Sequence, residues 1–242
     1  VIWRAASAAQ SKFHWSEGDA ISTSADLQQA IQRAESDLAD FWWKLHADDM
    51  VITLSDPKKN WRKDVMPEYK ANRKGVEKPL VFWQLRAHLE SKYRTEMRPS
   101  LEGDDVMGLY ATNKKAIVGK KIIVSVDKDM QSVPCFLFNP NKPDRGVVTV
   151  TQTSADRYHL QQTLTGDPVD GYKGCPGIGP KKADKILGSL TGKKAWEAVV
   201  RTYKSCGLKE SDALQNARVA RILRVGEYSL ADGVKLWEPP TE

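Results

Sequence analysis

Between residues 24 and 46 the apolar positions Leu27, Ala30, Ile31, Ala34, Leu38, Phe41, Trp42 and Leu45 recur at helical spacing. That period predicts an amphipathic helix with Ser24 or Asp26 as its N-cap. Asp48 and Asp49 end it, and the unbroken apolar run at 50–54 suits a short buried strand. Residues 79–93 return to the helical pattern through Phe82, Leu85 and Leu89, with Pro79 near the first turn. A further helix is expected from 101 to about 117, strands at 121–126 and 147–151, and a helix at 154–165. The last third reads as helical, at 193–205 and 211–225. Trp196, Val199, Val200 and Tyr203 form an apolar stripe on the first, and Leu214, Val219, Ile222 and Leu223 on the second. The opening residues read as the end of a strand or the start of a helix. The chain begins at Val1 without Met, as a fragment would, and Pro239-Pro240 mark a tail.

One segment breaks the pattern. Across 58–78, Lys58, Lys59, Arg62, Lys63, Lys70, Arg73, Lys74 and Lys78 alternate with Trp61 and Tyr69, with little apolar period. A partly exposed loop or arch is expected, whose cations and rings suit phosphate and base contacts; a solvated charged loop is the plainer alternative. Arg218, Arg221 and Arg224 on the last helix are read as solvated or DNA-facing. The net charge of +6 and pI of about 9.1 suit a polyanionic partner. Hydrophobic content of 40% with eight Trp is enough for a core in a chain of 242 residues. Three cysteines without CxxC spacing point to reduced thiols, not to a disulfide framework or a zinc site. No apolar run approaches the ~18 residues that span a bilayer, and no signal peptide is visible.

The acids change the picture most. In this basic chain they gather as Asp56; Glu102, Asp104 and Asp105; Asp127 and Asp129; Asp167 and Asp170. Oxygen-only clusters select hard cations such as Mg²⁺ or Mn²⁺, and a basic surround selects a phosphate polymer. Asp56 stands at the carboxyl end of a strand, where open α/β sheets place ligands. Three acids at one helix entrance exceed what capping needs. Strand alternation is expected to turn Asp127 and Asp129 to one side. Gly174, Gly177 and Gly179, followed by Lys181 and Lys182, predict a hairpin between two helices whose backbone N–H groups can approach phosphate. His14, His46, His88 and His159 lie outside every acidic group and are read as structural. Together these features point to metal-assisted cleavage of nucleic acid.

The ordered motifs are Ser55-Asp56 with Asn60-Trp61-Arg62-Lys63, Tyr69 to Lys74, Leu101 to Gly108, Ser125 to Asp129, Gly166 to Tyr172, and Ala220 to Arg224. In this order they resemble the 5′-nuclease superfamily of flap endonucleases and 5′-3′ exonucleases, most of all the 5′-3′ exonucleases of short-tailed bacteriophages. The resemblance implies an α/β fold: a PIN-like central sheet flanked by helices, a helical arch or clamp at 57–78, and a C-terminal helix–three-turn–helix module. It implies a catalytic core at 1–152 and a DNA-binding region at 153–242. Asp56, Glu102, Asp104 and Asp105 would surround one Mg²⁺ or Mn²⁺ ion, and Asp127, Asp129, Asp167 and Asp170 a second. Lys70 and Arg73 would lie near the scissile phosphate. Arg62, Lys63, Lys74, Gly174, Gly177, Gly179, Lys181 and Lys182 would bind DNA, with K⁺ against the carbonyls of the hairpin. Duplex DNA with a 5′ end or flap, and RNA–DNA hybrid, are the implied substrates of a monomer in the infected bacterial cytoplasm. The family's opening strand and its first metal-binding Asp would precede Val1 and are missing from this chain. A non-catalytic relative that binds 5′-ended DNA is the alternative this departure leaves open. A small-molecule phosphohydrolase would leave the basic segment and the Gly-rich hairpin unexplained.

Overall fold

The computed structural model describes residues 1–14 and 21–241, with His14 and Ile21 described by backbone alone. Whether the His14 side chain is structural therefore lies outside the described residues. Two compact units are present: Val1–Ile52 with Gly75–Glu96, and Thr53–Lys74 with Met97–Glu242. This partition does not follow the division expected between residues 152 and 153. The second unit builds one core from both sides of that cut: Met66 and Tyr69 pack with Tyr172, Val219 and Ala220.

In the first unit the opening residues form a helix, Ile2–Ala8, followed by an antiparallel hairpin of Gln10–His14 and Ile21–Ala25. Ser24 is consumed by that hairpin, so Asp26 caps the helix Leu27–Leu45 by accepting from Gln29 N at 3.1 Å. Ala5, Ala6, Ala30 and Ala34 are fully buried, small enough to let helices approach closely, and Leu38, Leu85 and Leu89 fill the space left. Helix Phe82–Lys92 starts after Pro79, whose carbonyl accepts from Phe82 N. His88 and Lys92 on it each reach Glu35 at 2.7 Å, while His46 adopts the left-handed conformation that ends Leu27–Leu45.

Among the described residues the second unit has only small sheets in place of the expected central one. The largest has three strands, with Cys135–Phe138 parallel to Ile122–Val124 and antiparallel to Val147–Val150. The strand expected at 121–126 stops at Val124 because polar side chains turn the backbone. Ser125 Oγ accepts from Asp127 N at 3.1 Å, and Asp127 Oδ1 accepts from Asp129 N at 2.8 Å. A turn, not strand alternation, therefore sets Asp127 and Asp129 together. The longer helices are Gly103–Thr112, Gln152–Thr165, Pro180–Leu187, Gly192–Ser205 and Glu210–Ala220.

The last of these ends well before the expected residue 225. The chain leaves the helix with extended backbone at Arg221, and residues 221–224 stay buried, with Arg221 and Arg224 each 6% exposed. Arg221 binds Glu227 at 2.6 and 3.0 Å; Arg224 binds Asp156 and the Ser132 carbonyl, both at 2.6 Å. Both are thus neither solvated nor DNA-facing: a buried guanidinium needs its partners inside. Arg218 pairs with Glu238 nearer the surface.

Segment 58–74 is partly exposed, as its charge suggests, with Lys58, Lys59, Lys63, Arg73 and Lys74 at the surface, but it is anchored from within. Trp61, Arg62, Met66 and Tyr69 are all at most 5% exposed, around a short helix Arg62–Val65. The main helical core gathers Leu164, Leu187, Trp196, Val199, Tyr203 and Ala213. Two glycines permit its closest approach: a Cβ on Gly174 would stand 2.2 Å from the Leu164 carbonyl oxygen, and one on Gly166 2.2 Å from Gly174 N.

His159 is buried in this unit, and its Nε2–H donates to the Ala217 carbonyl at 2.7 Å. Burial, then the nearby Arg221, pushes its pKa down to about 3. A base held neutral in the fold but protonated when unfolded costs stability as pH falls from about 6.5 towards 3. We expect wild type to lose about 1 kcal/mol more than His159→Gln between pH 7.5 and 5.5, measured by urea denaturation. Equal losses would show that His159 carries no such linkage.

Candidate active site

The acidic helix Gly103–Thr112 is entered through a strained residue: Ser100 has φ 62°. Asp56 holds that entrance, accepting from Ser100 N at 2.7 Å through Oδ2 and from Lys58 N at 2.8 Å through Oδ1. These backbone donors hold its carboxyl below the usual range. Ser55 Oγ accepts from Gly103 N at 2.9 Å. Asp56 is thus placed as a bracket for the helix bearing Glu102, Asp104 and Asp105.

The electrostatics show which acids converge. Burial, then the charges of Asp127 and Glu102, push Asp104 up to about 7. Asp129 is also pushed up to about 7, by burial, then Asp127, with Asp167 and Asp170 adding to it. Asp127 thus acts on both Asp104 and Asp129, which links the stretches 102–105, 127–129 and 167–170 electrostatically.

Cations answer them. Lys70 Nζ lies 2.5 Å from Glu102 Oε1 and 3.6 Å from Asp170 Oδ2; Arg73 reaches Asp170 Oδ1 at 2.7 Å, and Lys128 reaches Asp167 Oδ2 at 2.7 Å. The Tyr69 hydroxyl lies between Glu102 Oε2 at 3.0 Å and Asp170 Oδ2 at 2.8 Å. Burial disfavours the Glu102 charge, but Arg62 and Lys70 outweigh it and hold the carboxyl at about 2. Asp167 is also held low: burial opposes its charge, and the Lys128 ammonium and Val169 N–H outweigh it. Lys70 itself has φ 57°, a conformation costing about 1 kcal/mol for a side chain with a Cβ. It is held there by donating its N–H to the Asp170 carbonyl at 2.8 Å. Strain at this position aims the ammonium into the carboxylates.

Among the described residues no three Asp, Glu, His or Cys side chains form a ready cage for a metal ion. Lys70 bridges Glu102 and Asp170 instead, while Arg73 pairs with Asp170 and Lys128 with Asp167. The donor set nevertheless fits hard divalent cations. Its side-chain donors are all oxygen, two acids are raised by burial and crowding, and beside Asp129 the buried Gln162 Oε1 has no hydrogen-bond partner. The amide nitrogen of Gln162 donates to Asp129 Oδ1 at 2.6 Å.

Residues 2–153 match the family described as 5′-3′ exonuclease, N-terminal resolvase-like domain. The exonuclease of Escherichia phage T7 is 34% identical over 215 residues, covering 74% of this chain and 71% of that protein. This chain belongs to the 5′-3′ exonuclease family. The exodeoxyribonuclease of Enterobacteria phage T3 is also 34% identical, over 74% of this chain and 70% of its own. A flap endonuclease Xni of Shewanella halifaxensis is 28% identical over 66% of each chain. The T5 5′-exonuclease, solved with zinc ions, shares the fold at a TM-score of 0.58 and 18% identity, over 78% of this chain and 80% of that one.

As a member of the 5′-3′ exonuclease family this protein is a nuclease, a hydrolase of phosphodiester bonds. Two of the residues expected at its site face inward behind Glu102. Arg62, expected to contact DNA, is 3% exposed, and its guanidinium is turned inward onto Asp105. Asp105, expected as a metal ligand, is fully buried and accepts from Arg62, Trp61 Nε1 at 3.0 Å and Leu223 N at 3.3 Å. It is an internal counterion, because a buried carboxylate needs such donors.

Lys63 and Lys74 are exposed, as a DNA contact requires. Lys181 and Lys182 are exposed as well, at the start of helix Pro180–Leu187, with Lys182 Nζ on the Gly177 carbonyl at 2.9 Å. The three hairpin glycines divide. Gly177 and Gly179 have open space where a Cβ would stand, whereas Gly174 is needed for packing against Leu164 and Thr165. Tyr69 and Gln162 are the site residues that sequence reasoning missed in these roles. Gln162 carried no sequence signal beyond lying four residues before Gly166-Asp167. Among the described residues no helix is long and apolar enough to cross a membrane.

Proposed function

We propose that this nuclease hydrolyses phosphodiester bonds at the 5′ end or 5′ flap of duplex DNA with divalent metal ions held by Glu102, Asp104, Asp127, Asp129, Asp167 and Asp170. The observation that carries this reading is the joining of Glu102 and Asp170, acids from separate segments, by Tyr69 and Lys70, with Arg73 also on Asp170. The chemistry such ions supply is Lewis acidity, which acidifies water and offsets charge on the leaving oxygen. Lys70 and Arg73 bring positive charge to the non-bridging phosphoryl oxygens as they become more negative. Tyr69 and Lys70 keep Glu102 and Asp170 in register, and Gln162 does the same for Asp129. Asp56 orders the entrance to the acidic helix. One solved relative in fold, the bacteriophage T5 D15 flap endonuclease, is a complex with DNA and metal ions, with a TM-score of 0.57 and 16% identity over 80% of each chain.

The duplex grip is assigned to the hairpin and helix N-terminus around Gly177, Gly179, Lys181 and Lys182. The helix Pro180–Leu187 has no side-chain cap, which leaves its first N–H groups for phosphate. Replacing both lysines by Ala should weaken duplex binding about tenfold and lower the slope of log affinity against log salt by about 1 to 2. An unchanged slope would remove the hairpin from the interface.

The test is cleavage of 5′-labelled duplex, 5′-flap and RNA–DNA substrates by the protein carrying this chain, with Mg²⁺, Mn²⁺ or EDTA. Cleavage from the 5′ side that EDTA abolishes is expected. Binding of the same substrates without cleavage in either metal would favour a non-catalytic DNA-binding protein.

A further inference from the structure

We infer that Arg62 is a positioning residue for the nuclease reaction: clamped to Asp105, it fixes Glu102 with one carboxylate oxygen turned inward and the other turned to Lys70. The inference rests on the nuclease reading above and concerns a residue that touches neither DNA nor metal.

Arg62 is 3% exposed, and its donors are fully committed. Nε donates to the Val219 carbonyl at 2.8 Å. One terminal nitrogen donates to Asp105 Oδ2 at 2.8 Å and Glu102 Oε2 at 3.1 Å. The other donates to Asp105 Oδ1 at 2.8 Å and the Arg221 carbonyl at 2.6 Å. A guanidinium carries five N–H groups, and five contacts are made, so none is left for a phosphate.

Asp105 makes this fork rigid. It takes Arg62 on both oxygens, and Oδ2 also accepts from Trp61 Nε1 and Glu102 N. The same carboxylate thus holds the guanidinium behind Glu102 and the backbone from which Glu102 projects. Glu102 Oε2 is fixed by Arg62 and Tyr69, which leaves Oε1 facing Lys70 at 2.5 Å. A lysine could not reproduce this geometry, because its three donors radiate from one point where the arginine fork is planar. Groups that orient a metal-holding carboxylate in this way typically alter affinity or activity by about 10–100-fold when changed.

The experiment compares Arg62→Lys with wild type in four readouts: melting temperature, duplex affinity and salt slope in Ca²⁺, the Mg²⁺ concentration giving half-maximal rate, and single-turnover rate at saturating Mg²⁺. A folded variant is expected with unchanged DNA affinity and slope. Its Mg²⁺ requirement should rise about tenfold and its rate fall by about 10–100-fold. In a Glu102→Gln background, Arg62→Lys should add nothing to either change. Wild-type metal dependence and rate in folded Arg62→Lys would overturn the inference. So would weakened DNA binding with a reduced salt slope and an unaltered rate at saturating DNA.

Should Arg62→Lys fail to fold, side-chain nitrogen NMR of Arg62 in the unaltered protein decides. Mg²⁺ alone is expected to shift its signals, and duplex DNA without divalent ions to leave them in place; the reverse would refute the role. Wild type that cuts in neither Mg²⁺ nor Mn²⁺ sinks the nuclease reading itself. An Arg62→Lys protein that cuts like wild type sinks only this inference.

Discussion

Asp129→Asn is expected to slow single-turnover cleavage by about 10³-fold while leaving duplex affinity in Ca²⁺ unchanged. Asn keeps the shape and one acceptor oxygen, so the change isolates charge. Asp129 lies where Asp127, Asp167 and Asp170 already repel it, and its carboxyl is pushed up to about 7 by burial and those neighbours. A fold does not retain such an arrangement for its own stability. Removing the charge should therefore raise the melting temperature of the metal-free protein at pH 8, even as activity is lost. Stability and activity moving in opposite directions is the signature of a site built for cations. The check is single-turnover kinetics in Mg²⁺, fluorescence anisotropy in Ca²⁺ and thermal unfolding in EDTA. Parallel loss of cleavage, binding and stability would make Asp129 a structural residue.

The parts of this protein that were legible in its sequence are those where local pattern and burial agree. Helix Leu27–Leu45 was readable because its apolar stripe and an Asp cap point the same way, and the Trp196 to Tyr203 stripe of helix Gly192–Ser205 is buried as its spacing implies. The acidic groups were legible as an anomaly of charge, since no local rule asks a basic chain to cluster acids. Roles that depend on distant partners were not legible. Arg62 looked like its lysine neighbours, yet it is buried because Asp105, Val219 and Arg221 supply its acceptors from far along the chain. Arg221 and Arg224 continued a helical pattern that the structure abandons at Ala220, since leaving the helix brings their guanidinium groups to Glu227 and to the Ser132 carbonyl. Asp127 and Asp129 are brought together by a cause the sequence pattern did not suggest. Alternation was the expected cause, whereas Ser125 and Asp127 themselves bend the chain into a turn.

That buried run, 221–224, underlies the largest expected effect on stability, at Gly108. A Cβ there would stand 2.3 Å from the Leu223 carbonyl oxygen and 2.9 Å from Ile222 Cγ2, contacts that no folded structure accommodates without movement. Gly108 lies inside helix Gly103–Thr112, where Ala is intrinsically better by about 1 kcal/mol. Propensity alone therefore predicts a gain from Gly108→Ala. The clash decides otherwise, because its nearest atom belongs to backbone and the whole 222–223 segment would have to shift. Leu223 N donates to Asp105 Oδ1, so the shift would also disturb the Arg62 clamp behind Glu102. Overpacking of this kind costs about 3 kcal/mol net, a fall of about 6–12 °C in melting temperature for a chain of this size. Gly179→Ala is the matched control, since its Cβ would meet nothing within 4 Å and its φ of −94° suits any residue. Thermal unfolding of both variants in EDTA separates the two forces. A Gly108→Ala protein as stable as Gly179→Ala would mean that the acidic helix does not rest directly on the Leu223 backbone.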